Sequence, residues 1–288
     1  AYYRRSHSRN MVFRLAEGEV VCNLDADNYL GRGFAEFMLK EFNNKERLFY
    51  TSNLCYRDVF GRVCLERKEF VEARGYNEVF VGYGLEDVEF FNRLLCRGLV
   101  PQEIFNQKEF YNVLMHADEE RIAQEFLLKK LQSVYLDYIN PYSTRVLMLY
   151  KGQRFGIGVI QNNIAMNYNH PDESDMLKQC IGDKYRLVIK GEWKEGIWDE
   201  MENGIRLNFK DEEMILRNKS NCLYDFNHQY YKVKDANLIV VIVMGVTEAI
   251  NYLKMKKMDN DCKTVNPNGF GQGIVYRNFD YTNKILLA

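Results

Sequence analysis

Asp25 and Asp27 stand one residue apart at the end of the apolar run 20–24, Val-Val-Cys-Asn-Leu. If the run is a strand that continues through them, alternation sends both carboxylates to one side and Ala26 to the other. Two like charges at close range raise each other's pKa unless a cation sits between them. A hard divalent ion such as Mn²⁺ or Mg²⁺ takes oxygen ligands and bridges phosphates. Taken alone, the pair also reads as a strand that ends in a polar turn. A second cluster is Gly82-Tyr83-Gly84-Leu85-Glu86-Asp87, which opens an amphipathic segment running to Cys96. Carboxylates in the first turn of a helix are favoured by its exposed N–H groups and dipole. The glycines let backbone approach a ligand closely. His116 follows an apolar stretch and precedes an acidic one. A neutral imidazole there is a metal ligand or, equally, a helix cap.

Alternating helical and extended segments surround these residues. Residues 9–16 place Met11, Val12 and Leu15 at helical spacing, with Gly18 as a stop. Residues 20–24 read as a short buried strand, and 34–42 as a helix with Phe34, Phe37, Met38 and Phe42 on one face. Strands are predicted at 48–54 and 62–65 around the 58–61 turn, and helices at 67–73, 86–96 and 118–138. This alternation predicts an α/β sandwich over residues 1–140. Beyond it, short runs at 185–189, 204–209, 213–217 and 230–233 are separated by turns such as Glu202-Asn203-Gly204. They suit a small antiparallel unit. Residues 238–244 read as a buried strand and 247–257 as a helix. The second domain, 141–288, is therefore expected to be an α+β or β-rich extension. Two glycine-rich stretches, 154–162 and 269–278, echo each other, but neither carries the Gly-Lys-Ser/Thr of a phosphate loop.

The bulk numbers narrow the function classes. With 39 basic and 40 acidic residues, the net charge of −1 gives no field that would draw nucleic acid or an anionic membrane. The seven cysteines show no Cys-x-x-Cys pair and read as buried small hydrophobes in a reducing compartment. No apolar run approaches the ~20 residues of a membrane-spanning helix, and the opening residues are polar and basic. The expectation is a soluble, cytoplasmic chain with no transmembrane segment. Self-association stays open.

In this order the pieces resemble the GT-A glycosyltransferases, particularly the family 2 type and the galactosyltransferase- and chondroitin-polymerase-like enzymes. Ser8-Arg9-Asn10 through Asp25-Ala26-Asp27 is similar to their helix, strand and Asp-x-Asp motif. Gly75-Tyr76-Asn77-Glu78, Gly82 to Asp87 and Arg93 are similar to their Gly-Tyr and Gly-x-Glu-Asp segments. The resemblance covers about residues 4–125 and implies roles. Asp27 and Asp25 would hold Mn²⁺ (or Mg²⁺) on the diphosphate of a UDP-sugar donor, and His116 would complete the coordination. Asp87 would be the general base toward a hydroxyl of a glycan acceptor, and Glu86 would hydrogen-bond a sugar. Gly82, Tyr83 and Gly84 would line the sugar pocket. Arg9 and Asn10 join the substrate-binding set. The implied activity is metal-dependent, inverting transfer. The alternative is a non-catalytic glycan- or nucleotide-binding module on a degenerate scaffold of the same kind.

The resemblance fails at the start. Such enzymes open with strands that bind the nucleoside, and these residues do not supply them. The expectation is either a fragment of a longer product or replacement by a later βα unit, for which 238–257 is the candidate. Loss of nucleotide binding is the third reading.

Overall fold

The computed structural model describes residues 4–52, 61–103, 110, 112–114, 126–161, 188–258 and 264–288. They fall into two units: Tyr3–Ala117 with Lys254–Ala288, and Asp118–Leu253 with Ala1–Tyr2. The division lies at 117/118 and 253/254 rather than at 140/141. Residues 131–140 are the first strand of the second unit, and the tail returns to the first.

The first unit is mixed α/β. Its elements are α1 (Arg5–Leu15), β1 (Val20–Asn23), β2 (Asn28–Tyr29), α2 (Phe34–Asn44) and β3 (Leu48–Thr51), then β4 (Val63–Glu66), α3 (Arg67–Glu72), α4 (Glu86–Cys96), β5 (Val100–Glu103) and β6 (Asn112–Val113). The sheet order is β1-β4-β3-β5, with β1 and β3 antiparallel to β4 and β5 parallel to β3. Strand alternation splits the core in two. Phe49, Val63 and Leu65 pack with Phe13, Phe70, Tyr76, Phe90 and Leu94 from α1, α3, α4 and the loop after α3. Leu48, Tyr50 and Cys64 face the other way, onto Phe34 and Met38 of α2. Aromatic contacts knit the first layer, with Phe13 stacked on Phe70 at 4.4 Å and Tyr76 on Phe90 at 4.5 Å.

The second unit begins with α5 (Phe126–Lys130) and continues through β7 (Leu131–Asn140), β8 (Ser143–Tyr150), β9 (Arg154–Gln161), β10 (Val188–Met201), β11 (Gly204–Asn208), β12 (Glu213–Lys219), β13 (Cys222–Tyr224) and β14 (Gln229–Lys232). Each strand pairs antiparallel with the next, and β14 returns to β7 through Tyr231↔Leu136 and Lys232↔Tyr135. The result is a closed eight-stranded meander, which leaves no open sheet edge. Eight strands enclose just enough room for side chains. Leu147, Leu149, Phe155, Ile157, Trp198, Leu207, Leu216 and Tyr230 fill that room. The outward residues Val134, Leu136, Val146 and Met148 pack under α6 (Ala236–Lys257) through Ile242, Val243 and Val246. The glycines of 154–162 serve close packing, since a Cβ at Gly156 or Gly158 would meet the Trp193 ring at 2.7 or 2.6 Å.

Two predicted elements change type. Residues 118–138 were expected as one helix. The described part is helical only over Phe126–Lys130 and then becomes β7. Leu131, Val134, Tyr135 and Tyr138 do sit at helical spacing. However, Val134 and Leu136 face α6 while Tyr135 faces the barrel interior, so the strand buries both faces. Residues 238–244 were expected as a strand but lie inside α6. The start signal is Asp235, whose Oδ1 accepts from the N–H groups of Asn237 (2.8 Å) and Leu238 (3.1 Å). This removes 238–257 as a βα replacement for missing strands. It also lengthens the expected apolar run: α6 has 22 residues and mean hydropathy 1.7, long and apolar enough to cross a membrane by length and composition. In this fold one side of it covers the barrel.

Candidate functional site

Part of the first unit's buried charge converges on one guanidinium, that of Arg9. α1 carries Arg5 and Arg9 four residues apart, hence on one face. α4 begins beside that face, with Glu86 and Asp87 in its first turn. The approach to α4 runs through left-handed backbone at Gly82 (φ 80°), Gly84 (φ 94°) and Leu85 (φ 72°). Glycine takes this conformation without strain, and it turns the chain sharply enough to aim the first turn of α4 at α1.

Arg9 Nη1 donates to Asp87 Oδ1 at 2.6 Å, and Arg9 Nη2 donates to Asp25 Oδ1 at 3.2 Å. Glu86 Oε1 lies 3.6 Å from both Arg9 Nη1 and Arg5 Nε. Beneath the cluster, the Tyr76 ring centre is 5.3 Å from the Arg9 guanidinium carbon. The Tyr83 ring stands 4.9 Å from that of Arg5. Gly61 closes one side: a Cβ there would sit 2.9 Å from Arg9 Nη2 and 3.0 Å from Asp87 Oδ2. Asn23, at the end of β1, donates to the Gly61 carbonyl at 2.9 Å and so joins the strand leading to Asp25 to this wall.

The electrostatics follow from the count. Three carboxylates, Asp25, Glu86 and Asp87, face two guanidiniums. Asp87 is pushed up to about 7, by burial first; Arg9 opposes the shift and Glu86 and Asp25 add to it. A 2.6 Å pair with Arg9 favours the ionised form, whereas burial and two further carboxylates favour the proton. The proton therefore leaves only near neutrality. Burial alone would lower the pKa of Arg9, but Asp87, Tyr76, Glu86 and Asp25 outweigh it, and the guanidinium stays charged. Because Asp87 holds its proton more tightly when folded, raising the pH from the ordinary carboxylate range toward 7 lowers stability.

The Asp25–Asp27 pair differs from its expected geometry. β1 ends at Asn23, and a turn follows in which the Asn28 N–H donates to the Asp25 carbonyl at 2.9 Å. Strand alternation therefore does not govern the two side chains. Asp25, with a side chain 41% exposed, reaches Arg9. Asp27 Oδ1 accepts from Asn28 Nδ2 at 2.7 Å. The Asp27 carbonyl accepts from the Leu114 N–H at 2.7 Å, continuing the β2–β6 pairing. His116 lies outside the described residues. Among the described residues no group of three or more His, Cys, Asp or Glu side chains is placed to hold a metal ion. Asp25 and Asp27 offer carboxylate oxygens, the donor type that a hard divalent cation takes, though one Asp25 oxygen is engaged by Arg9.

Asn10 stands apart from this cluster. It is fully buried, donating to the Tyr76 carbonyl and Glu78 Oε1 (both 2.8 Å) and accepting from the Tyr76 N–H (2.7 Å). Glu78 also receives the Gly271 N–H at 2.6 Å and His7 Nδ1 at 3.0 Å. Asn266 bonds to the carbonyls of Arg74 and Tyr76 and to the Glu78 N–H. The tail thus completes the first unit from behind the site. Sequence reasoning grouped Arg9 with substrate-binding residues and missed it as the common partner of the carboxylates. It also missed Arg5, Gly61 and Tyr76. The readable signal was the Arg5–Arg9 spacing on a helix.

Residues 49–117 match the family described as the N-terminal domain of galactosyltransferase. No curated protein and no solved structure matches the chain significantly. The chain therefore carries a glycosyltransferase-like domain whose matched stretch includes Gly82 to Asp87. The match does not single out the family 2 or chondroitin-polymerase types named by the resemblance.

Proposed function

We propose that the chain is a metal-dependent, inverting glycosyltransferase that moves a sugar from a UDP-sugar to a glycan hydroxyl. The observation that carries this reading is the convergence of Asp87, Glu86 and Asp25 on Arg9, with Asp87 and Glu86 inside the galactosyltransferase-like stretch. A buried carboxylate that ionises near pH 7 is matched to taking a proton from an acceptor hydroxyl at neutral pH. Arg9 holds that carboxylate in one orientation, and its charge keeps the deprotonated form accessible. Glu86 and the half-buried Tyr83 ring lie beside Arg5; in this reading they contact sugar, the carboxylate by hydrogen bonds and the ring by stacking.

Asp25 and Asp27 would hold the Mn²⁺ or Mg²⁺, with His116 as the further ligand. When bound, the ion would supply positive charge against the diphosphate oxygens. Attack of the deprotonated hydroxyl on the face opposite the leaving group inverts the anomeric centre.

The test is release of UDP from a panel of UDP-sugars by the full chain, with and without Mn²⁺. Metal-dependent release that Asp27→Ala abolishes is the expected result. Sugar binding by calorimetry with no release and no metal dependence would favour the non-catalytic module instead.

A further inference from the structure

The cysteines were expected to be mostly buried small hydrophobes; Cys64 fits that reading and Cys22 does not. Cys22 lies on β1, the edge strand of the sheet, and is exposed; Cys64 lies on β4 and is completely buried. The two are direct partners in the antiparallel register, flanked by Val21↔Leu65 and Asn23↔Val63. Directly opposed residues of an antiparallel pair have Cα atoms ~4.5–5.5 Å apart, inside the ~4.4–6.8 Å window that a disulfide spans. Here the side chains also point at each other, with the sulfur atoms 2.6 Å apart and the Cys64 thiol donating to Cys22.

We propose that Cys22 and Cys64 form a reversible cross-strand disulfide, a thiol–disulfide modification site that ties β1 to β4 three residues before Asp25. The oxidant is a low-molecular-weight disulfide such as oxidised glutathione. The Cys22 thiolate attacks one sulfur of that disulfide, the S–S bond breaks, and one small thiolate leaves. The Cys64 thiol then gives its proton to solvent and its sulfur attacks the Cys22 sulfur, expelling the second small thiolate. Two protein thiols lose two electrons, and the small disulfide is reduced to two thiols. Burial fixes the order of events, because only Cys22 can be reached from outside. Burial also pushes the Cys64 thiol well above its ordinary pKa, which keeps it protonated beside Cys22 and makes its attack the slow step. The site is independent of the glycosyltransferase reading. Its consequence for that reading is mechanical: the linked strand runs through Asn23 and its bond to Gly61 into Asp25.

The test treats the folded full chain with oxidised glutathione, alkylates the remaining thiols, digests the protein and maps cysteine peptides by mass spectrometry. The expected product is a peptide pair linked through Cys22 and Cys64, two hydrogens lighter than the separate peptides and split by dithiothreitol. Cys64→Ala should stop at a glutathione adduct on Cys22. Cys22→Ser, a change at an exposed position, should leave Cys64 unmodified. Exposed Cys96 is the internal control for ordinary adduct formation. A wild-type chain in which Cys22 retains glutathione, or in which both thiols are still alkylated after Cys96 has reacted, would overturn the proposal.

Discussion

Along β8 of the barrel unit, Leu147 and Leu149 face the interior while Val146 and Met148 face α6, so four of its six buried positions carry apolar side chains at strand period. The barrel's buried carboxylate among the described residues is Asp137, matched by Arg145 at 2.7 Å. The first unit instead buries Arg9, Arg62, Glu69, Glu86, Asp87, Glu89 and Arg93. Arg93 pairs with Glu89 at 2.6 Å and donates to the Gly75 carbonyl, joining α4 to the end of α3. Placing ionised groups out of water costs stability unless every one is paired. A chain that does so at one place and avoids it in the other shows where geometry is held for a purpose other than stability. The contrast also separates the roles: the barrel can be explained by packing alone, and the Arg9 cluster cannot.

The sharpest way to break that contrast is to change the charge cluster and watch activity and stability separately. Asp87→Asn keeps the shape but removes the proposed proton acceptor. Turnover of UDP-sugar should fall ~10²–10⁴-fold, the usual worth of a positioned base, while melting at pH 7 changes little because the ionisation penalty lost with the carboxylate is offset by the weakened pairing with Arg9. Arg9→Ala leaves three carboxylates facing each other with only Arg5 nearby. Its expected cost is about 3–5 kcal/mol in denaturant unfolding of the full chain. Arg9→Lys should restore only part of it, because an ammonium cannot bridge Asp87 and Asp25 as a planar fork does. A full rescue by lysine would show that charge alone matters.

Two changes in the barrel unit complete the comparison. Leu207→Ala, at a fully buried interior position, should cost about 2–5 kcal/mol and leave UDP release per folded molecule unchanged. Asp235→Ala removes the cap of α6 and should cost about 1 kcal/mol, read as a small drop in melting temperature. A large loss of UDP release from either variant, with folding intact, would mean that the barrel is not merely a scaffold.

Legibility in the sequence followed the same divide. In the first unit, Phe34, Phe37 and Met38 announced α2 by spacing, and the acidic start and Gly98 bracketed α4 at Glu86–Cys96. Asp25, Glu86 and Asp87 were readable as candidates from the order of their motifs, since each motif alone also reads as a polar strand end or an acidic helix start. That they meet at Arg9 was not readable, since the contact joins α1 to α4 across 78 residues and depends on Gly61 leaving room. In the barrel unit, the hairpins after Glu202-Asn203-Gly204 were legible from turn chemistry, but closure was not, because it rests on the long-range pairing of β14 with β7. Leu131 to Asn140 satisfies helical and strand spacing at once, and only burial on both faces decides it. The run 238–244 is β-branched and short, and its helical state depends on the Asp235 cap and on the barrel surface it covers.

The most direct test of the central claim, that Asp87 in the Arg9 cluster accepts the acceptor's proton, is the pH dependence of kcat/KM for sugar transfer at saturating Mn²⁺. Only ionised Asp87 can act as the base, so the rate should rise with pH through a midpoint near 7 and then level off. In Asp87→Asn that limb should vanish, leaving a low, flat residual rate. The same midpoint surviving in Asp87→Asn would assign the titration to another group and contradict the account.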